Sequence, residues 1–75
     1  MSRQATVFTR SGCHLCDDAA EMLRRYGFEV ATVDVDGDPQ LREKYDLVVP
    51  VVVIDGVERF RGRIDERLLR RLLRS

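Results

Sequence analysis

The sequence predicts a small α/β domain in the order β-α-β-α-β-β-α, with a four-stranded mixed sheet and three helices. Three observations carry this. A β-branched and aromatic run, Ala5-Thr6-Val7-Phe8-Thr9, gives way to helical periodicity. A second strand-like run leads into Asp38-Pro39, which is the start signature of a helix. A Val/Ile run is then joined to another short strand by Asp55-Gly56, the strongest short-range hairpin signal.

The first strand stops at Ser11-Gly12, where glycine breaks the extended pattern. From Leu15 the apolar residues Leu15, Ala19, Ala20, Met22, Leu23 and Tyr26 recur at the spacing of one helical face, and Gly27 closes the helix. Residues 28–35 alternate as the second strand and end in the acidic turn Asp34-Val35-Asp36-Gly37-Asp38. Asp38 as N-cap and Pro39 as first helical residue open a short helix through Tyr45, with Leu41 and Tyr45 facing inward. Val51-Val52-Val53-Ile54 reads as a central strand buried on both faces, with helices on each side of the sheet. Residues 57–60 form its antiparallel neighbour, and residues 65–74 the last helix, with Leu68, Leu69, Leu72 and Leu73 as its apolar stripe.

Both cysteines fall in Cys13-His14-Leu15-Cys16, at the strand-to-helix transition. Such a pair serves as a dithiol/disulfide couple, as half of a metal site, or as unrelated buried residues, and position on the fold separates these. At a helix N-terminus the unpaired amides and the positive dipole end favour a thiolate over a thiol. An ordinary thiol of pKa about 8.5 is only roughly 3% ionised at pH 7, whereas Cys-x-x-Cys thiols of pKa about 3.5–7 are half ionised or more. Cys13 is therefore the expected nucleophile. Cys16, one turn further in, is the expected buried resolving thiol. His14, the single histidine, either adds positive charge or a donor near the thiolate or is a solvent-facing turn residue.

Seventy-five residues, 44% of them hydrophobic, suit one domain spanning 1–75 with one core. There is no apolar run near 18 residues and no basic-then-apolar leader, so neither a membrane span nor a signal peptide is expected and the simplest location is the cytoplasm. Zero net charge argues against general nucleic-acid binding. The charge is uneven, however: residues 1–58 carry 6 basic and 11 acidic side chains, net −5, and residues 59–75 carry 7 and 2, net +5. Arg59, Arg61, Arg63, Arg67, Arg70, Arg71 and Arg74 read either as a docking surface for an acidic protein or anionic thiol, or as a solvated helix face. Asp34, Asp36 and Asp38 alternate like a calcium loop, but the glycine and terminal glutamate are not at the needed offsets, and no metal is assigned.

On these residues the chain resembles the short bacterial glutaredoxin-like proteins with a CHLC redox motif, over nearly its whole length. The resemblance rests on the run from Phe8 to Cys16, on Val49-Pro50 before the third strand, and on Gly62-Arg63-Ile64-Asp65 before the last helix. It implies a thioredoxin-like fold of glutaredoxin type. It also implies a disulfide oxidoreductase in electron transport and cell redox homeostasis, with Cys13 and Cys16 as catalytic residues. Pro50 is then a cis-proline facing the cysteines, which leaves the Val49 backbone to pair with a bound thiol substrate. Arg10, three before Cys13, matches a residue that helps bind the glutathione carboxylate. Asp65 matches the acidic residue that holds its amino group, and otherwise reads as the cap of the last helix. His14 and Ile64 complete the implied substrate contacts. The chain departs from the family at His14-Leu15 for the usual Pro-Tyr, Val49 for a common threonine, and Arg63 for a cleft glycine.

The leading expectation is thus a monomeric thiol–disulfide oxidoreductase that binds no cofactor and acts on a disulfide-containing protein or a glutathione mixed disulfide. Glutathione as co-substrate, or a flavoenzyme reductase, would reduce it again. The alternatives are a zinc- or iron–sulfur-binding module built on Cys13, Cys16 and His14, and a redox-idle interaction domain using the arginine-rich end.

Overall fold

The structure, a computed structural model, describes residues 3–45 and 48–74. The elements run β1 (Arg3–Thr9), α1 (His14–Arg25), β2 (Phe28–Asp34), a single 3₁₀ turn (Val35–Gly37), α2 (Pro39–Tyr45), β3 (Val51–Ile54), β4 (Val57–Arg61) and α3 (Glu66–Arg74). The four-stranded sheet and three helices are those expected, in the expected order. The 3₁₀ turn is an addition: Val35 leaves the second strand because Asp34 caps a new turn, its Oδ1 accepting from the Asp36 amide at 2.9 Å. Asp38 caps α2 as read, accepting from the Gln40 amide at 2.9 Å.

Sheet order is β2-β1-β3-β4. β1 and β2 are parallel, whereas β1–β3 and β3–β4 are antiparallel. The β3–β4 hairpin turns through Asp55 (φ 53°) and Gly56 (φ 78°). Both are left-handed, as the two-residue turn that matches strand twist requires. The register slips between Val52 and Val53, so that Arg59 is passed over as Val52 faces Phe60 and Val53 faces Glu58.

The pleat sends alternate residues to two apolar layers. Ala5 and Val7 of β1 and Val52 and Ile54 of β3 meet Ala19 and Leu23 of α1 and Leu69 of α3 in the larger cluster. From the other face, Val51 joins Val35 and Tyr45 in a smaller cluster, flanked by Phe8, Leu41, Val48 and Val49. Phe8 and Tyr45 stack at 4.9 Å between ring centroids. Helices therefore cover both faces of the sheet, as the unbroken Val/Ile run of β3 implies.

A polar clamp ties the end of α1 to the start of α3. The Tyr26 hydroxyl donates to Glu66 Oε2, while Arg70 donates from Nε to the Tyr26 oxygen at 3.0 Å and from Nη2 to Glu66 at 3.0 Å. The Tyr26 hydrogen bond, seconded by Arg70, holds the Glu66 carboxyl below its ordinary range.

Candidate redox site

β1 ends at Thr9, and the chain must reverse within four residues to lay α1 back on the sheet. Gly12 makes this possible at φ 78°, a conformation that a side chain would strain. The turn closes with the Cys13 amide donating to the Arg10 carbonyl at 3.1 Å. Cys13 is then left extended (φ −89°, ψ 104°) as the N-cap of α1, and its Sγ accepts from the Cys16 amide at 3.2 Å.

A sulfur stands where a helix usually has a hydroxyl or carboxylate oxygen. Its hydrogen bond comes from one of the first-turn amides that the helix itself leaves unpaired, and this favours the anion. Asp17 in the first turn opposes that effect, but it is exposed and screened by water, whereas the amide contact is direct.

Cys13 is half-buried, while Cys16 is 1% exposed. The two are joined as a disulfide with Cα atoms 5.3 Å apart, inside the range a disulfide spans. An accessible sulfur thus lies directly on a buried one.

Two further segments converge on this end of the sheet. The Val49–Pro50 peptide is cis. Because Val51 pairs with Phe8, Pro50 lies at the level of Thr9, where the redox turn begins. The Pro50 carbonyl accepts from the Gly62 amide at 2.7 Å, drawing in the loop after β4. Val49 is half-buried against the smaller cluster, and its backbone amide and carbonyl have no hydrogen-bond partner among the described residues. Ile64 is buried, and with Arg63 it lines a recess of about 190 Å³ closed on the α1 side by Leu15, Asp18, Ala19 and Met22. Leu15 and Arg63, two of the departures from the family pattern, therefore share one recess, and Leu15 keeps 41% of its surface exposed.

The remaining candidates are spread around this centre. His14 is the exposed first residue of α1. Asp65 caps α3, with Oδ1 accepting from the amides of Arg67 at 3.0 Å and Leu68 at 3.4 Å. Arg10 turns to Asp36: its Nε lies 3.3 and 3.2 Å from the two carboxylate oxygens, and its Nη2 lies 3.1 Å from Oδ1. Asp36 is the site-proximal residue that sequence reading missed. The signal was available, because parallel neighbours β1 and β2 end together in a cation and an anion. The three aspartates of the calcium-like stretch are used otherwise: Asp34 and Asp38 as caps, Asp36 as an ion-pair partner. Among the described residues, no three His, Cys, Asp or Glu side chains are grouped to hold a metal ion, and no helix is long and apolar enough to cross a membrane.

A strand-turn-helix dithiol beside a cis-proline, on a four-stranded sheet covered by three helices, defines a protein of the thioredoxin superfamily. The chain belongs to the glutaredoxin-like family, whose domain description, Glutaredoxin-like domain (DUF836), matches residues 4–74. It is 39% identical over 80 residues to the uncharacterized protein Rv0508 of Mycobacterium tuberculosis, covering 93% of this chain and 82% of that one. The solution structure of protein Ne2328 from Nitrosomonas europaea superposes with a TM-score of 0.81 at 27% identity, over 96% of this chain and 92% of that chain. A mutant of the thioredoxin-like protein BC3987 superposes with a TM-score of 0.69, also at 27% identity, over 93% and 94%.

Proposed function

We propose that this protein is a cytoplasmic, monomeric thiol–disulfide oxidoreductase that reduces disulfide-bearing proteins or glutathione mixed disulfides through Cys13 and Cys16. One observation carries the reading: a half-buried Cys13 sulfur receives an amide hydrogen bond at a helix start, with a fully buried partner sulfur bonded to it. In the reduced protein the Cys13 thiolate attacks a substrate sulfur, forming a mixed disulfide and expelling one thiolate, which takes a proton from solvent. Cys16 then loses its proton, attacks the Cys13 sulfur and expels the second thiolate. Two electrons pass from the dithiol to the substrate, and glutathione or a flavoenzyme reductase returns them. The open Val49 backbone beside cis-Pro50 supports β-like pairing with a substrate chain, and the recess at Leu15, Arg63 and Ile64 supports contact with its side chains.

The test is reduction of hydroxyethyl disulfide with glutathione as electron donor. Wild-type protein turns over and Cys13→Ser falls to the uncatalysed rate. Full activity in Cys13→Ser would overturn the mechanism.

A further inference from the structure

Arg10 is the arginine or lysine nearest to Cys13 in sequence, and its backbone carbonyl closes the turn that presents this thiol. Its guanidinium is already engaged by both oxygens of Asp36. The register explains the pairing: Thr9 lies beside Asp34, so the two chains leave the parallel pair together and residues 26 apart in sequence meet. Asp36 is held in place. Its amide is bonded by Asp34, and Val35 before it is fully buried against Tyr45 and Val51. From α2, Arg42 Nε stands 3.8 Å from the same Oδ1, so one carboxylate lies between two guanidiniums beside the redox turn.

We propose that Asp36 is a specificity-determining residue: a built-in carboxylate that occupies Arg10 and sets the site against small disulfides carrying carboxylates, in favour of uncharged ones. The inference deepens the exchange reading above and rests on it. A guanidinium takes a carboxylate through a two-pronged fork, and Asp36 already holds that fork. An incoming carboxylate must displace Asp36 or share Arg10 against its repulsion. Discrimination of this kind comes from a repulsive element, not from a missing attractive one. Because Arg10 and Asp36 keep side-chain exposures of 28% and 39%, the pair is openable and the discrimination is graded. The discrimination is read at the first step, attack of the Cys13 thiolate on the incoming disulfide.

The experiment follows single-turnover oxidation of the reduced protein by oxidised glutathione, which bears carboxylates, and by hydroxyethyl disulfide, which is neutral. The ratio of the two rate constants is the readout. Asp36→Asn is expected to raise the glutathione-to-neutral ratio about two- to fivefold at low salt, the range of exposed ion pairs. High salt is expected to shrink the gain, and Arg10→Gln in the same chain to erase it. Arg10→Gln alone is expected to change the ratio less than about twofold, since Asp36 already masks this cation; that arm stands even where Asp36→Asn fails to fold. An unchanged ratio in folded Asp36→Asn, equal acceleration with both disulfides, a gain that survives Arg10→Gln, or a large fall in Arg10→Gln alone each overturns the role of Asp36. Failure of both disulfides to oxidise wild-type protein would overturn the exchange reading itself, whereas oxidation with an unmoved ratio overturns only the role of Asp36.

Discussion

Helices α1 and α3 begin alike and for different ends. Each is capped by a side chain that accepts from the first-turn amides, but α3 uses the Asp65 carboxylate and α1 uses the Cys13 sulfur. A carboxylate is among the best N-caps, worth about 1 kcal/mol over alanine, whereas sulfur is a weak acceptor. The stronger cap stands at α3 and the chemically useful one at α1. The same unpaired amides that stabilise one helix are, in the other, directed to an ionisable sulfur.

The contrast can be broken most sharply by Cys13→Ser. Serine is the better cap, so reduced wild type and Cys13→Ser are expected to melt within a few degrees of each other, with any difference favouring serine, while disulfide reduction falls to background. Next in size, Cys16→Ser leaves the cap and removes the resolving thiol. A mixed disulfide on Cys13 is then expected to accumulate stoichiometrically, read by intact mass. Asp65→Ala removes the structural cap and is expected to cost about 1 kcal/mol, which for a domain of this size lowers Tm by about 4–8 °C. The smallest effect concerns pH. Since the folded pKa of Glu66 lies below its ordinary 4.5, its contribution to stability is complete above that value and is lost as pH falls through the folded pKa. Glu66→Gln is expected to flatten the acid limb of a stability–pH curve, and Tyr26→Phe to remove the largest part of the same dependence. An unchanged acid limb in both variants would show that the clamp makes no contribution in solution.

Legibility in the sequence followed the range of the interactions. The Asp55-Gly56 hairpin, the Asp38 and Asp65 caps and the amphipathic helices are decided within a few residues and were readable. Burial of Cys16 under an accessible Cys13 followed from helical spacing alone. Cis-Pro50 came from family resemblance, because a trans strand-start proline reads the same locally. The Arg10–Asp36 pair and the bonds of Tyr26 to Glu66 and Arg70 join residues 26 and at least 40 apart and depend on strand register and helix docking. Charge alone does not say which of 13 basic residues meets which of 13 acidic ones.

The burial of Cys16 also fixes how the reduced molecule is counted by a reagent. A bulky maleimide is expected to label Cys13 alone in the folded reduced chain and both sulfurs once the chain is unfolded. Once Cys13 carries a mixed disulfide or a sulfenic acid, the thiol able to release it is already inside the protein: Cys16 attacks the Cys13 sulfur, forms the Cys13–Cys16 disulfide and expels a thiol or water. Oxidation of this kind at the accessible atom is thus kept reversible by an atom shielded from bulk solvent, and the labels taken up before and after unfolding report the redox state without any substrate: one then two for the reduced chain, none at either stage for the disulfide.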